Sequence, residues 1–124
     1  MVIDSSIFIE YLRAKDKKSA SLYQILDEAT LFISSVTLYE LFIGATNETK
    51  WNDIMVLTED LTVLPFSNEV AIEAARIYHN LKKANTMIEF RDIFIAATCK
   101  AYNLPIKTLN QNDFRRVPGL KVVD

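Results

Sequence analysis

The sequence contains few of the residues from which disulfides, zinc sites and phosphate-binding loops are built. It has one cysteine, one histidine, two glycines and three prolines among 124 residues. A single cysteine excludes an internal disulfide and a cysteine-based zinc site, and it fits the reducing cytoplasm. The two glycines, Gly44 and Gly119, are too far apart to form a glycine-rich phosphate loop, so nucleotide-driven chemistry is not expected.

Charge and hydropathy exclude further classes of protein. The longest stretch without a charged residue, 29–39, is shorter than the roughly twenty apolar residues that cross a bilayer. Asp4 and Glu10 lie where a signal peptide would carry positive charge, so we expect a cytoplasmic protein with no membrane association. Sixteen acidic against fourteen basic residues leave a net charge of -2, so contact with nucleic acid requires a local basic patch.

Apolar residues are plentiful. Half of the residues are hydrophobic and 24% are charged, which excludes a disordered or linker-dominated chain. A chain of this length has the usual size of one domain, and it can bury a core without a disulfide or a structural metal. We therefore predict a single domain over residues 1–124.

Short apolar runs alternate along the chain with longer helical patterns. The runs predict strands at 2–3, 31–33, 62–64, 105–108 and 121–123. The helical patterns predict helices near 5–14, 18–29, 35–45, 49–60, 67–84, 90–102 and 110–115. Strands that alternate with helices and are apolar on both faces form a parallel sheet covered on both sides. The predicted fold class is therefore α/β.

Four acidic residues occupy positions that need an explanation. Asp4 follows the first predicted strand and Asp113 lies in the segment after the fourth, where ligands bind in such sheets. Glu40 and Asp92 lie on apolar helix faces, where an unpaired carboxylate is costly to bury. If the four carboxylates converge, their mutual repulsion calls for a divalent cation, and oxygen ligands suit Mg²⁺ or Mn²⁺.

Each acid also has a purely structural explanation. Asp4 is a suitable N-cap for the helix that follows it, and Asn110 with Asp113 resembles a capping box. Glu40 or Asp92 could instead pair with a buried base. The candidate bases are Arg91 and Lys100.

Four segments of the sequence match a known pattern in order and separation. They are 2–9, 34–41 leading to Gly44, 92–98, and 108–114 followed by 117–120. Together they resemble the PIN-domain ribonucleases, especially the VapC-like toxins of bacterial and archaeal toxin–antitoxin pairs. The resemblance covers nearly the whole chain, and it implies a three-layer α/β/α fold with a central five-stranded parallel sheet.

The resemblance implies an endoribonuclease that depends on Mg²⁺ or Mn²⁺ and hydrolyses phosphodiester bonds in single-stranded or looped RNA. It places the acidic quartet of the family on Asp4, Glu40, Asp92 and Asp113. Asp4, Asp92 and Asp113 would hold the metal, while Glu40 would orient or deprotonate the attacking water. Further candidates are Ser6, Thr108 and Asn110 beside the acids, and Arg115, Arg116 and Lys107 toward the RNA phosphates.

The sequence departs from the family pattern at two positions. Asn85 stands near a loop where the family often has glycine, and asparagine is the other residue that best tolerates a left-handed backbone. Asn110 occupies a position that is acidic in some relatives, so a site with one metal and a site with two both stay open.

The resemblance also implies partners. VapC-like proteins form homodimers and are silenced by an antitoxin whose tail fills the groove above the acids. One apolar segment is a candidate for such surfaces, although core packing explains it equally well. Its residues are Trp51, Ile54, Met55 and Leu57.

Two other interpretations share the predicted architecture. A catalytically inactive PIN-like module would bind RNA or a protein without cleaving. A receiver domain of the phosphorelay proteins would need adjacent acids after the first strand and an aspartate at the end of the third. Here Asp4 is followed by two serines, and the third strand runs into Pro65.

Overall fold

The computed structural model describes residues 1–27 and 30–124. Five strands form its centre: β1 (Val2–Ile3), β2 (Phe32–Ser34), β3 (Thr62–Leu64), β4 (Ile106–Lys107) and β5 (Val122–Val123). The α-helices are α1 (Ser5–Arg13), α2 (Ser21–Ile25), α3 (Ser35–Ile43), α4 (Glu48–Thr58), α5 (Asn68–Lys83), α6 (Phe90–Ala101) and α7 (Gln111–Phe114). A 3-10 turn covers Lys17–Ser19. No helix among the described residues is long and apolar enough to span a membrane.

The sheet is parallel throughout, in the order β3-β2-β1-β4-β5. Val2 of β1 is in register with Phe32 of β2 on one side and with Ile106 of β4 on the other. Strand order reverses at β1, and such a switch point leaves a crevice at the carboxyl ends of the strands. Asp4, the residue after β1, therefore lies at the edge where a ligand site is expected.

Helices cover both faces of the sheet, as the predicted three-layer α/β/α fold requires. Adjacent strand residues point to opposite faces, and Val2 and Ile3 accordingly belong to two separate hydrophobic clusters. The Val2 cluster packs against α5 and α6, including Ile77 and Ile95. The Ile3 cluster packs against α1 to α4 and includes Phe8. The predicted α/β class with a five-stranded parallel sheet is confirmed.

One predicted helix is wrong in its extent. The periodicity predicts a helix near 18–29, but the chain forms a 3-10 turn and then the short α2, which ends at Ile25. Ala20 separates the two because its backbone is extended, with φ -71° and ψ 147°. The backbone N–H of Ser21 donates to Glu10 Oε1 of α1 at 2.8 Å, which fixes where α2 begins. The final residues of the predicted helix, 28–29, lie outside the described part of the chain.

Candidate active site

Asp4 is buried at the carboxyl end of β1 and is held by two hydroxyl groups. Its Oδ2 accepts hydrogen bonds of 2.8 Å from Ser6 Oγ and 2.8 Å from Thr108 Oγ1. The Asp4 carboxylate makes no capping hydrogen bond to α1, so the N-cap explanation is wrong for its side chain. Ser6 Oγ also accepts from the backbone N–H of Leu109 at 3.0 Å. The loop after β4 is thus attached directly to Asp4.

Asn110 links two of the predicted acids. Its side-chain amide Nδ2 donates to Asp113 Oδ2 at 2.9 Å and to Asp92 Oδ2 at 3.4 Å. Its backbone N–H donates to Thr108 Oγ1 at 2.9 Å, which connects it to the residues around Asp4. The Asn110 side chain makes no capping hydrogen bond to α7, so the capping-box explanation is wrong as well.

Glu40 lies in α3, and its two carboxylate oxygens have different surroundings. Oε2 is 3.6 Å from Arg91 Nη1, which confirms a predicted ion pair but is too long for a hydrogen bond. Oε1 is buried and has no hydrogen-bond partner among the described residues. Burial raises the pKa of Glu40, Arg91 opposes the rise, and the charges of Asp4 and Glu89 add to it. A buried, unpartnered carboxylate oxygen is costly unless a proton, a cation or water satisfies it.

Asp92 lies in the first turn of α6, and within residues 1–27 and 30–124 no basic group comes within 4.0 Å of its carboxylate. Burial is the main reason that the pKa of Asp92 rises from 3.8 to about 6. The negative charges of four carboxylates add to this rise, namely Asp4, Glu89, Glu40 and Asp113. Lys100, the other predicted partner, lies 3.5 Å from Glu73 instead. The structure therefore brings the four predicted acids together around Asp92.

The three predicted phosphate-binding bases are largely occupied by other groups. Arg115 Nη2 lies 2.7 Å from Asp124 Oδ1, and Lys107 Nζ donates to the backbone oxygen of the same residue. Arg116 Nη1 is 3.7 Å from Asp113 Oδ1, so it is the only one of the three that contacts the acidic cluster. Arg115 and Lys107 both contact Asp124, and their role toward RNA phosphates stays a prediction.

Two features of the site were not predicted. Glu89 precedes α6, accepts a hydrogen bond of 2.6 Å from Arg91 Nη2 and is one of the four negative charges near Asp92. Its position three residues before Asp92, on the same helical side, was an available signal. The second feature is a groove of about 410 Å³ beside Glu40, where α1 lies next to α3 and α4.

The donor set suits a hydrated divalent cation. Within residues 1–27 and 30–124, no group of three His, Cys, Asp or Glu side chains is arranged to hold a metal ion directly. The unpartnered Oε1 of Glu40 and the raised pKa of Asp92 nevertheless indicate negative charge that lacks compensation. Mg²⁺ commonly keeps several of its waters and uses only one or two carboxylates, so the residues present fit such an ion.

Comparison with known protein families identifies the domain to which this site belongs. The model of the PIN domain matches residues 1–120. Ribonuclease VapC of Rickettsia bellii (strain RML369-C) is 37% identical over 130 residues, which cover 99% of this chain and 94% of that protein.

Solved structures agree with this match. The crystal structure of DNA-bound VapBC from Salmonella typhimurium is 26% identical with a TM-score of 0.84, over 99% of this chain and 96% of that one. A member of the VapBC family of toxin-antitoxin systems from Mycobacterium tuberculosis is 26% identical with a TM-score of 0.70, over 99% and 94%. These matches exclude the receiver-domain interpretation. The chain belongs to the PIN domain family.

Proposed function

We propose that the protein is a metal-dependent endoribonuclease that hydrolyses phosphodiester bonds in single-stranded or looped RNA and acts as the toxin of a toxin–antitoxin pair. The observation that carries the proposal is the clustering of Asp4, Glu40, Asp92 and Asp113 at the carboxyl edge of the central strand, where Thr108 and Asn110 link the three aspartates. The relative from Rickettsia bellii, named a ribonuclease, supports the same reaction class. Unpaired RNA is the form in which bases and phosphates are most accessible to a protein.

The acids have different roles in this mechanism. Asp4, Asp92 and Asp113 would hold Mg²⁺ or Mn²⁺, directly or through its waters. When bound, such an ion lowers the pKa of a coordinated water and offsets the charge that develops on the phosphorane and the leaving oxygen. Glu40 would orient the attacking water and accept its proton, and the lack of a hydrogen-bond partner for its Oε1 within the described residues supports this role.

Polar neighbours hold these acids in place. Ser6 and Thr108 fix the Asp4 carboxylate through its Oδ2, and Ser5 Oγ lies 3.5 Å from its Oδ1. Asn110 holds Asp92 and Asp113 through one amide group. Asn110 places an N–H donor between these two carboxylates and adds no negative charge there, which favours one metal over two.

Two protein partners are proposed, an antitoxin and a second copy of the chain. We infer an antitoxin protein as the partner that silences the enzyme, since the solved structure from Mycobacterium tuberculosis belongs to a toxin-antitoxin family. We also propose a homodimer of single-domain chains in the cytoplasm. Trp51 and Met55 of α4 are each about half exposed and available to a partner, whereas Ile54 is buried and Leu57 packs against the core.

A cleavage assay tests the proposed reaction. Purified protein is incubated with structured RNAs in Mg²⁺, in Mn²⁺ and in excess EDTA. Asp92→Asn and Glu40→Gln are compared with the matched controls Asp60→Asn and Glu59→Gln, which lie outside the acidic cluster and are exposed. We expect metal-dependent cleavage that only the first pair of variants abolishes. Cleavage that persists in EDTA, or full activity of Asp92→Asn, contradicts the proposed chemistry.

A further inference from the structure

A groove of about 410 Å³ runs between α1, α3 and α4, and Glu40 of the candidate active site forms part of its wall. Its lining combines apolar and charged side chains. The apolar ones include Ile9, Leu12, Leu41 and Ile54, and the charged ones are Arg13, Glu40, Lys50 and Asp53. The groove thus shares Glu40 with the acidic cluster, and it extends along α1 to Arg13.

The two cations of the groove make no ion pair within residues 1–27 and 30–124. Arg13 is the last residue of α1, and Lys50 lies in the first turn of α4. In the part of the chain that the structure describes, neither side chain is within 4.0 Å of an acidic oxygen, although Asp53 lines the same groove. By contrast, Arg115 and Arg116 are both paired with aspartates. The available positive charge next to the site is therefore in the groove.

An RNA substrate needs such charge at this place. The carboxylate cluster repels the phosphates on either side of the bond that is cut, and the net charge of -2 provides no general attraction. Two cations in a groove continuous with Glu40 offset that repulsion, and the apolar lining suits the ribose and base between phosphates. We propose that Arg13 and Lys50 bind the backbone phosphates of the RNA and so act as positioning residues, an inference that rests on the proposed nuclease function.

RNA binding is measured separately from cleavage. The parent protein carries Asp92→Asn, and the probe is a fluorescein-labelled single-stranded RNA of about twenty nucleotides, followed by anisotropy at several salt concentrations. The test variant adds Arg13→Gln and Lys50→Gln. The matched control adds Arg76→Gln and Lys121→Gln, which change the net charge equally.

The control residues lie outside the groove. Lys121 precedes β5 and lines a small cavity with Lys100. Lys100 contacts Glu73, which is also the ion-pair partner of Arg76. Both control cations therefore belong to the amino edge of the sheet, away from the acidic cluster.

The expected loss follows from counterion release. Each phosphate contact on a single strand contributes about 0.7 to the slope of log affinity against log salt, so losing two contacts lowers the slope by about 1.4. If the groove variant and the parent bind RNA equally at about 1 M salt, the variant binds about 25-fold more weakly than the parent at about 0.1 M salt. The control variant keeps the slope of the parent. The charge-conserving Arg13→Lys/Lys50→Arg variant retains most of the affinity, which shows that charge and not folding is responsible.

Four results overturn the inference. The groove variant binds RNA with the affinity and slope of the parent, or the control variant loses as much as the groove variant. The groove variant loses affinity for a hexaglutamate peptide while RNA binding is unchanged, in which case the groove recognises an acidic protein segment. The parent binds no RNA at all, and the cleavage assay with wild-type protein then decides independently whether the nuclease proposal also fails.

Kinetics of the otherwise wild-type enzyme give a second readout. We expect Arg13→Gln/Lys50→Gln to raise KM and to leave kcat nearly unchanged.

Discussion

Replacing Asp92 by asparagine separates stability from activity, because the substitution removes a charge that the folded protein holds at a cost. The pKa of Asp92 rises from 3.8 to about 6, mainly through burial and then through neighbouring carboxylates. A rise of this size corresponds to about 3 kcal/mol. Asp92 is only half-buried, so solvent screening reduces the cost to about 1–2 kcal/mol.

The sign of the pH dependence follows from the raised pKa. The folded state binds the Asp92 proton more tightly than the unfolded chain does. The stability from that proton is fully present below pH 3.8 and is lost as the pH rises through about 6. At pH 7.5 without metal, the wild type therefore carries the whole cost and the Asp92→Asn variant carries none. The hydrogen bond from Asn110 to Asp92 is long, at 3.4 Å, so its loss subtracts little.

Thermal melts at pH 7.5 in EDTA measure the difference. We expect Asp92→Asn to melt roughly 3–8 °C above the wild type, since 1 kcal/mol shifts Tm by about 3–4 °C at this chain length. The difference shrinks toward zero near pH 4. Mg²⁺ stabilises the wild type more than the variant, because ligand binding to the folded state adds stability with saturation. A variant that melts below the wild type in EDTA at pH 7.5 would refute the reasoning and make Asp92 a structural partner.

Three further substitutions test individual roles. Glu40→Gln lowers kcat by about 100- to 10,000-fold and keeps the Mg²⁺-induced rise in Tm; equal loss of that rise would make Glu40 a metal ligand. Thr108→Val removes one of the two hydroxyl donors to Asp4 and lowers the free energy of unfolding by about 2 kcal/mol in urea titrations. Thr58→Val is its control, since the Thr58 hydroxyl bonds only the backbone of its own helix and should cost less. Asn110→Asp lowers Tm in EDTA and enlarges the rise with Mg²⁺; an unchanged rise would show that no cation lies beside residue 110.

The positions of the acids were predictable because each depends on a local pattern. Asp4 follows a run of buried strand residues, and a parallel sheet places the residue after β1 at the carboxyl edge. Asp92 stands out because helical periodicity places it among apolar residues. Asn85 was expected to replace a glycine, and it adopts a left-handed backbone with φ 55°.

The remaining features depend on contacts between distant segments. The start of α2 is set by Glu10 of α1, which periodicity within residues 18–29 does not reveal. The ion pair of Arg115 with Asp124 joins residues nine positions apart, and no local pattern around Asp113 reveals it. Arg13 and Lys50 belong to different helices, and only the packing of α1 and α4 beside α3 places them in one groove.

The most direct test of the acidic cluster as a metal site is the crystal structure of the wild-type protein grown with saturating Mn²⁺, using the anomalous signal of the ion. Our account predicts one Mn²⁺ bounded by Asp4, Asp92 and Asp113, through direct or water-mediated bonds, with Glu40 facing a metal-bound water. The Asp92→Asn protein under the same conditions should show a weaker peak or none. Mn²⁺ bound only elsewhere on the wild-type protein, or no anomalous peak between these carboxylates, would contradict the account.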